Sequence, residues 1–177
     1  MNVIDRPERS EQEKIRFAFG SFSMGQVLVA VSAKGVAAVL MGDGSEALRR
    51  ELAAAFPEAE LDFDPAGLRE TAALVSAWLE APKGELGLAL DLRGSAVERA
   101  VWQALGAIPH GRTVSYGELA RALPVPATAQ EVGAACAANR LAVAIPCHRV
   151  VKADGSISGY RWGVRRKRAL LAREAAA

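Results

Sequence analysis

The sequence predicts an α+β fold: a small antiparallel sheet with helices comes first, and a mostly helical region follows. Three observations carry this. Residues 16–41 alternate apolar and polar positions between turn signals, the period of half-buried strands. Ser95 with Glu98, and Thr128 with Glu131, are capping-box pairs that open helical patterns in the second half. The 177 residues, 51% hydrophobic and 24% charged, are enough to bury a core.

After a disordered-looking head, RFAFGSFSM, QVLVAVSA and GVAAVLM read as three strands of a meander. SEALRRELAAAF and ETAALVSAWL have helical spacing. They are separated by FPEAELDFDPAG, where two prolines break the pattern. LGLALDL alternates as a further strand, and a boundary near Arg93 divides residues 1–92 from residues 93–177. Beyond it, SAVERAVWQALGAI is a helix stopped at PHG. SYGELARAL and TAQEVGAACAAN are two short helices spaced as a helix-turn-helix, and WGVRRKRALLAREA is an amphipathic closing helix.

Charge is distributed unevenly. Residues 1–139 carry 13 basic and 18 acidic side chains, residues 140–177 nine basic and two acidic. The excess gathers at Arg161, Arg165, Arg166, Lys167, Arg168 and Arg173, either a solvated helix face or a surface that meets phosphates. The polar start MNVIDRPERSEQEKIRF does not match a secretory signal, and no stretch has the length of a membrane span, which predicts a cytoplasmic protein without a membrane partner. A reducing compartment leaves Cys136 and Cys147 as free thiols. With no Cys or His before His110 and no CxxC or HxxxH spacing, no metal is expected.

IPCHRVV, residues 145–151, sets one of two cysteines beside one of two histidines. A thiol is mostly protonated at neutral pH, and a nearby base raises its thiolate fraction. Neighbours on an extended strand point to opposite faces, so a Cys147–His148 relay needs a turn or a bridging water, and Pro146 favours such a turn. A carboxylate behind the imidazole would orient it. By itself the pair also suits a buried small hydrophobe beside a satisfied core histidine.

The surrounding ANRLAVAIPCHRVVKADGSISGYRWGV, with VWQALGAIPHGRTVSYGELA before it and LLARE after it, resembles the O6-alkylguanine-DNA alkyltransferases, the methylated-DNA–protein-cysteine methyltransferases. It is most similar to the C-terminal module of the bacterial adaptive-response members, and the zinc-binding domain preceding that module has no counterpart in these residues. The resemblance implies a ribonuclease H-like N-terminal domain and a C-terminal DNA-binding and alkyl-acceptor domain. It implies a protein without a cofactor that binds double-stranded DNA through the minor groove; a monomer is only the default expectation. The alkyl group of O6-alkylguanine, and of O4-alkylthymine as a further lesion, would pass to Cys147 in a single turnover.

By the same resemblance His148 is the base acting through a water, Glu174 orients it, and Asn139 ties the helix-turn-helix to the active-site loop. Tyr116 would donate toward the guanine ring. The backbone near Tyr160 and Arg161 would face O6, and carbonyls near Cys147 and Val150 would receive the exocyclic amine. Gly133, Ala134 and Ala137 would let the second short helix press into a groove. Two departures stand out. Gln130 occupies the position of the family's intercalating arginine, predicting weaker duplex binding or slower base flipping. Trp162, where some relatives have glycine, is expected to narrow the pocket or to anchor the last helix. Two rival readings are a lesion sensor with little repair activity and a cysteine hydrolase; the latter lacks a recognisable oxyanion-hole motif.

Overall fold

A computed structural model of the chain describes residues 11–177. The first ten residues of the expected polar head lie outside the described residues. Strands β1 (Lys14–Phe22), β2 (Gly25–Ser32) and β3 (Gly35–Gly42) form the expected antiparallel meander. Gly25 and Gly35 turn it with φ of 132° and 145°, a region that side chains with a Cβ rarely occupy. Helices α1 (Ser45–Ala55) and α2 (Arg69–Glu80) pack on the sheet through Leu48 and Leu52, and through Val75 and Leu79.

Two expectations about strands are corrected. The proline-flanked ELDF forms β4 (Glu60–Phe63), which pairs in parallel with β1 and makes the sheet order β3-β2-β1-β4. Four residues between two breakers carry too little pattern to be legible. Their partner lies far back in the chain, where the Phe17 and Phe63 rings meet at 5.5 Å. LGLALDL, by contrast, is no regular strand. It runs extended past β3, and its pairing is limited to the Val36–Leu90 bridge. Its alternation holds from Leu86 to Leu90, where the leucines are more buried than Gly87 and Ala89, and breaks at the buried Asp91; side-chain burial alone does not require a hydrogen-bonded ladder.

The helical half contains α3 (Ala96–Gly106), α4 (Tyr116–Ala122), α5 (Ala129–Ala138) and α6 (Val164–Ala176). Both expected capping boxes are formed, and Ser115 with Glu118 adds a third at the start of α4. Trp102 on α3 donates its indole N–H to the Ala135 carbonyl at 2.9 Å, pinning α5 in the core. Short strands β5 (Val114–Ser115) and β6 (Val150–Val151) pair in parallel.

The edge of β3 holds the segment that leads to Cys147. Val39 donates to the Arg140 carbonyl at 2.8 Å, and Ala142 donates back to the Val39 carbonyl at 3.0 Å. The C-terminal basic cluster is largely consumed by similar ties. Arg166 binds the Met24 carbonyl and Asp43, Arg173 binds the Leu79 carbonyl and Ser23, and Lys167 is buried. Arg165 and Arg168 stay exposed. The phosphate-facing reading of the whole cluster therefore narrows to these two, because the other cations of the cluster grip carbonyls and carboxylates or are buried.

Candidate active site

Pro146 ends the extended approach, and residues Cys147–Arg149 turn in one 3-10 step, with Arg149 N–H on the Pro146 carbonyl and Val150 N–H on the Cys147 carbonyl. The turn sets His148 behind Cys147, and the two are 0% and 4% exposed. Just before it Val143 adopts φ of 59°, a left-handed conformation costly for a β-branched residue. Asn139, at the C-terminal cap of α5 and buried, clamps that bend. Its amide donates to the Ile145 carbonyl at 3.1 Å and the Leu141 carbonyl at 3.4 Å, and its oxygen accepts from Leu141 N–H at 2.8 Å. The same amide reaches Cys147 Sγ at 3.3 Å.

Behind the thiol, His148 Nε2 lies 2.7 Å from Glu174 Oε1. Arg149, which the sequence reading passed over, grips both Glu174 oxygens at 2.8–3.2 Å and donates to the Ile108 carbonyl at 2.8 Å. Burial opposes ionisation of Glu174, but the hydrogen bonds from His148 and Arg149 and the Arg149 charge prevail and hold its pKa down to about 2. Arg149 is a permanent cation, so the carboxylate stays ionised even when His148 is neutral. An ionised carboxylate only accepts, which places the imidazole proton on Nε2. His148 Nδ1, buried and without a partner among the described residues, is then the basic nitrogen.

Burial lowers the His148 pKa against the pull of Glu174, keeping the ring neutral and able to take a proton. Burial pushes the Cys147 thiol up, while the Asn139 amide and the nearby Lys167 charge pull it down. The thiol thus needs a base to ionise. Once formed, the anion keeps its Asn139 donor, a bond that strengthens with charge.

Cys147 opens onto a cavity of about 300 Å³ lined by five further predicted residues, Tyr116, Gly133, Ala137, Tyr160 and Arg161. The β5–β6 pair delivers Tyr116 there, since Val114 and Ser115 lie beside Val150 and Val151, just after the Cys147 turn. The Tyr116 hydroxyl meets Ser158, which also accepts from Lys167 Nζ at 3.1 Å. An ammonium only donates, so the Ser158 proton is free to turn to Tyr116, whose own proton is free for the cavity. Tyr160 presents a hydroxyl without a partner among the described residues. Cys136 also lines the cavity, but burial raises its pKa to about 12, leaving it an inert packing thiol as expected.

Other predicted residues fall elsewhere. Gln130 and Ala134 are exposed on the face of α5 that carries Gly133 and Ala137, at the helical spacing that aligns them. Glu131 is turned back onto Thr128 N–H at 2.7 Å. Val150 is buried in β6, away from the cavity lining. Trp162 does not line the cavity either: its ring packs against Tyr160 at 5.3 Å, and its carbonyl accepts from Arg166 at 2.9 Å, so it anchors the start of α6. Arg149, Ser158 and Lys167 had one weak signal in the sequence, cationic and hydroxyl side chains within the same motif-bearing stretch.

Residues 96–176 match the family described as 6-O-methylguanine DNA methyltransferase, DNA binding domain. The chain is 48% identical over 167 residues to the Escherichia coli bifunctional transcriptional activator/DNA repair enzyme Ada, covering 93% of this chain and 47% of that protein. It is 49% identical over 90 residues to the Mycolicibacterium paratuberculosis methylated-DNA–protein-cysteine methyltransferase, covering 51% of this chain and 54% of that protein. The chain thus spans about half the length of these curated relatives. Among solved structures, Mycobacterium tuberculosis OGT in complex with DNA superposes with a TM-score of 0.76 at 31% identity, covering 92% of this chain and 93% of that one. Nearly end-to-end likeness in sequence and fold, together with the motif match, means that the chain belongs to the O6-methylguanine-DNA methyltransferase family.

Proposed function

We propose that this protein repairs DNA by direct reversal, moving the alkyl group from O6 of guanine, and from O4 of thymine as a further lesion, to Cys147. The observation that carries the reading is the Asn139–Cys147–His148–Glu174 constellation at the wall of a cavity beside the exposed small-residue face of α5. His148 Nδ1 takes the thiol proton through a water, and Sγ displaces guanine at the alkyl carbon. The C–O bond electrons pass to the base, which Tyr116 protonates on the ring. The thioether left on Cys147 has no leaving group, so the protein turns over once.

In this reading residues 1–92 form an α/β domain and residues 93–177 the DNA-binding and acceptor domain of a cytoplasmic monomer. Helix α5 enters the minor groove while the lesion is flipped into the cavity. Tyr160 and Arg161 lie where the base would sit, and Arg165 and Arg168 remain available for phosphates. Among the described residues no helix is long and apolar enough to cross a membrane.

The test is intact mass after incubation with a duplex carrying O6-methylguanine, followed by peptide mapping. One methyl per chain on Cys147, absent in Cys147→Ala, is the expected result. No mass gain with retained lesion binding would turn the reading into that of a sensor. A companion test concerns Gln130, whose exposed amide cannot stack as a cation in the gap left by a flipped base. Gln130→Arg is expected to tighten duplex binding about tenfold, the gain of one charge-assisted contact of about 1.4 kcal/mol. Unchanged affinity and repair rate in a gel-shift and single-turnover assay would remove that idea.

A further inference from the structure

Arg161 lines the Cys147 cavity and holds on to α5, which lines it too. Its Nη1 donates to the carbonyls of Ala137 and Asn139, at 3.3 Å each, on the last turn of α5. Its Nη2 pairs with Glu51 Oε1 on α1 at 3.2 Å, the two side chains being 25% and 32% exposed. Ala137, on α5, lines the same cavity, so Arg161 ties the loop part of the lining to the α5 part. The stretch that carries Arg161, residues 152–163, contains no helix or strand. Near the cavity it is held from one side by Lys167 and Tyr116, which bind Ser158, and from the other by the Arg161 contacts.

The two carbonyl bonds are long and share one nitrogen, whereas Glu51 supplies the opposite charge. Without that charge, Arg161 loses its tie to the sheet half and its guanidinium is free to swing over the Trp162 face, already 5.7 Å away, toward solvent. A residue of α1 thus holds a side chain of the cavity lining in place. We propose that the Arg161–Glu51 pair is a strap across the Cys147 cavity, with Glu51 the positioning residue that limits the size of group able to reach the thiol. Resting on the alkyl-transfer reading, this assigns adduct-size selection to Arg161 and Glu51, whereas the sequence pointed to Trp162.

The experiment uses the full chain with Glu51→Ala and with Glu51→Gln, which keeps the volume and removes the charge. Two ratios are measured: Cys147 modification by N-benzylmaleimide against iodoacetamide, with peptide mapping to separate Cys136, and transfer from O6-benzylguanine against O6-methylguanine in one duplex. Methyl transfer is expected to stay within about twofold, and both ratios to rise about fivefold, the factor that a partly exposed ion pair contributes. Unchanged ratios in both variants overturn the strap, as does a rise in Glu51→Ala that Glu51→Gln does not reproduce. If the unmodified protein accepts no alkyl group from either lesion, the repair reading falls, and the thiol-reagent ratio alone decides the strap.

Discussion

Glu174→Gln is expected to destabilise the protein by about 3–5 kcal/mol and to slow alkylation of Cys147 roughly 10²-fold, because one carboxylate serves two buried partners. The glutamine amide fills the same space but leaves Arg149 as a buried cation whose strongest remaining contact is the Ile108 carbonyl. It also accepts or donates with equal ease, so nothing then keeps the His148 proton on Nε2 and the lone pair on Nδ1. Urea titration gives the stability change, and single-turnover mass spectrometry gives the rate. Loss of rate without loss of stability would show that Arg149 is satisfied by other means.

The same site shapes the acid response. Glu174 titrates near 2 in the fold against an ordinary 4.5, so its contribution is complete above about 4.5 and disappears as the pH falls toward 2. That contribution is roughly 3 kcal/mol. His148, with its pKa below the usual 6.5, acts in the same direction. Below about 6.5 the unfolded chain binds a proton that the folded imidazole refuses, and stability drops as the pH declines further. Glu174→Gln should reduce the loss between 4.5 and 2 in urea midpoints measured against pH, the remainder coming from Glu13, Asp64 and Asp91, whose hydrogen bonds also hold their carboxyls below the ordinary range.

Asn139→Ala is expected to remove about 1–3 kcal/mol of stability, since it strands the Leu141 N–H in the core and leaves the Ile145 carbonyl with Cys147 N–H as its remaining donor. The left-handed Val143 then loses the clamp on both sides of its bend. It also takes away a donor to Cys147 Sγ, which should raise the thiol pKa further and slow iodoacetamide modification several-fold at neutral pH. A pH profile of that modification separates the two effects: a fold loosened without loss of the donor gives faster, not slower, labelling. An unshifted profile would mean that the 3.3 Å contact contributes nothing to the thiolate.

Much of the fold was legible from local pattern. The three meander strands, α1, α2 and the capping boxes of α3 and α5 follow from periodicities and side-chain chemistry that act over a few residues. Strand β4 and the segment around Leu90 were not legible in this way. Both lie along strands from distant parts of the chain, and only the assembled sheet decides whether a partner's N–H and C=O groups line up.

The candidate site divides along the same line. The order Pro146-Cys147-His148 within its motif pointed to the candidate nucleophile, its neighbour and the family, because a turn and a thiol–imidazole pair are written in adjacent residues. Tertiary structure decided what surrounds them: Arg149 doubling the hold on Glu174, Lys167 behind Ser158, Trp162 packed outside the cavity and Arg161 reaching to Glu51. Long cationic side chains take whichever buried acceptor the packed fold brings within reach. The sequence by itself therefore singled out the candidate nucleophile, and the fold decided which charges surround it and what lines the cavity beside it.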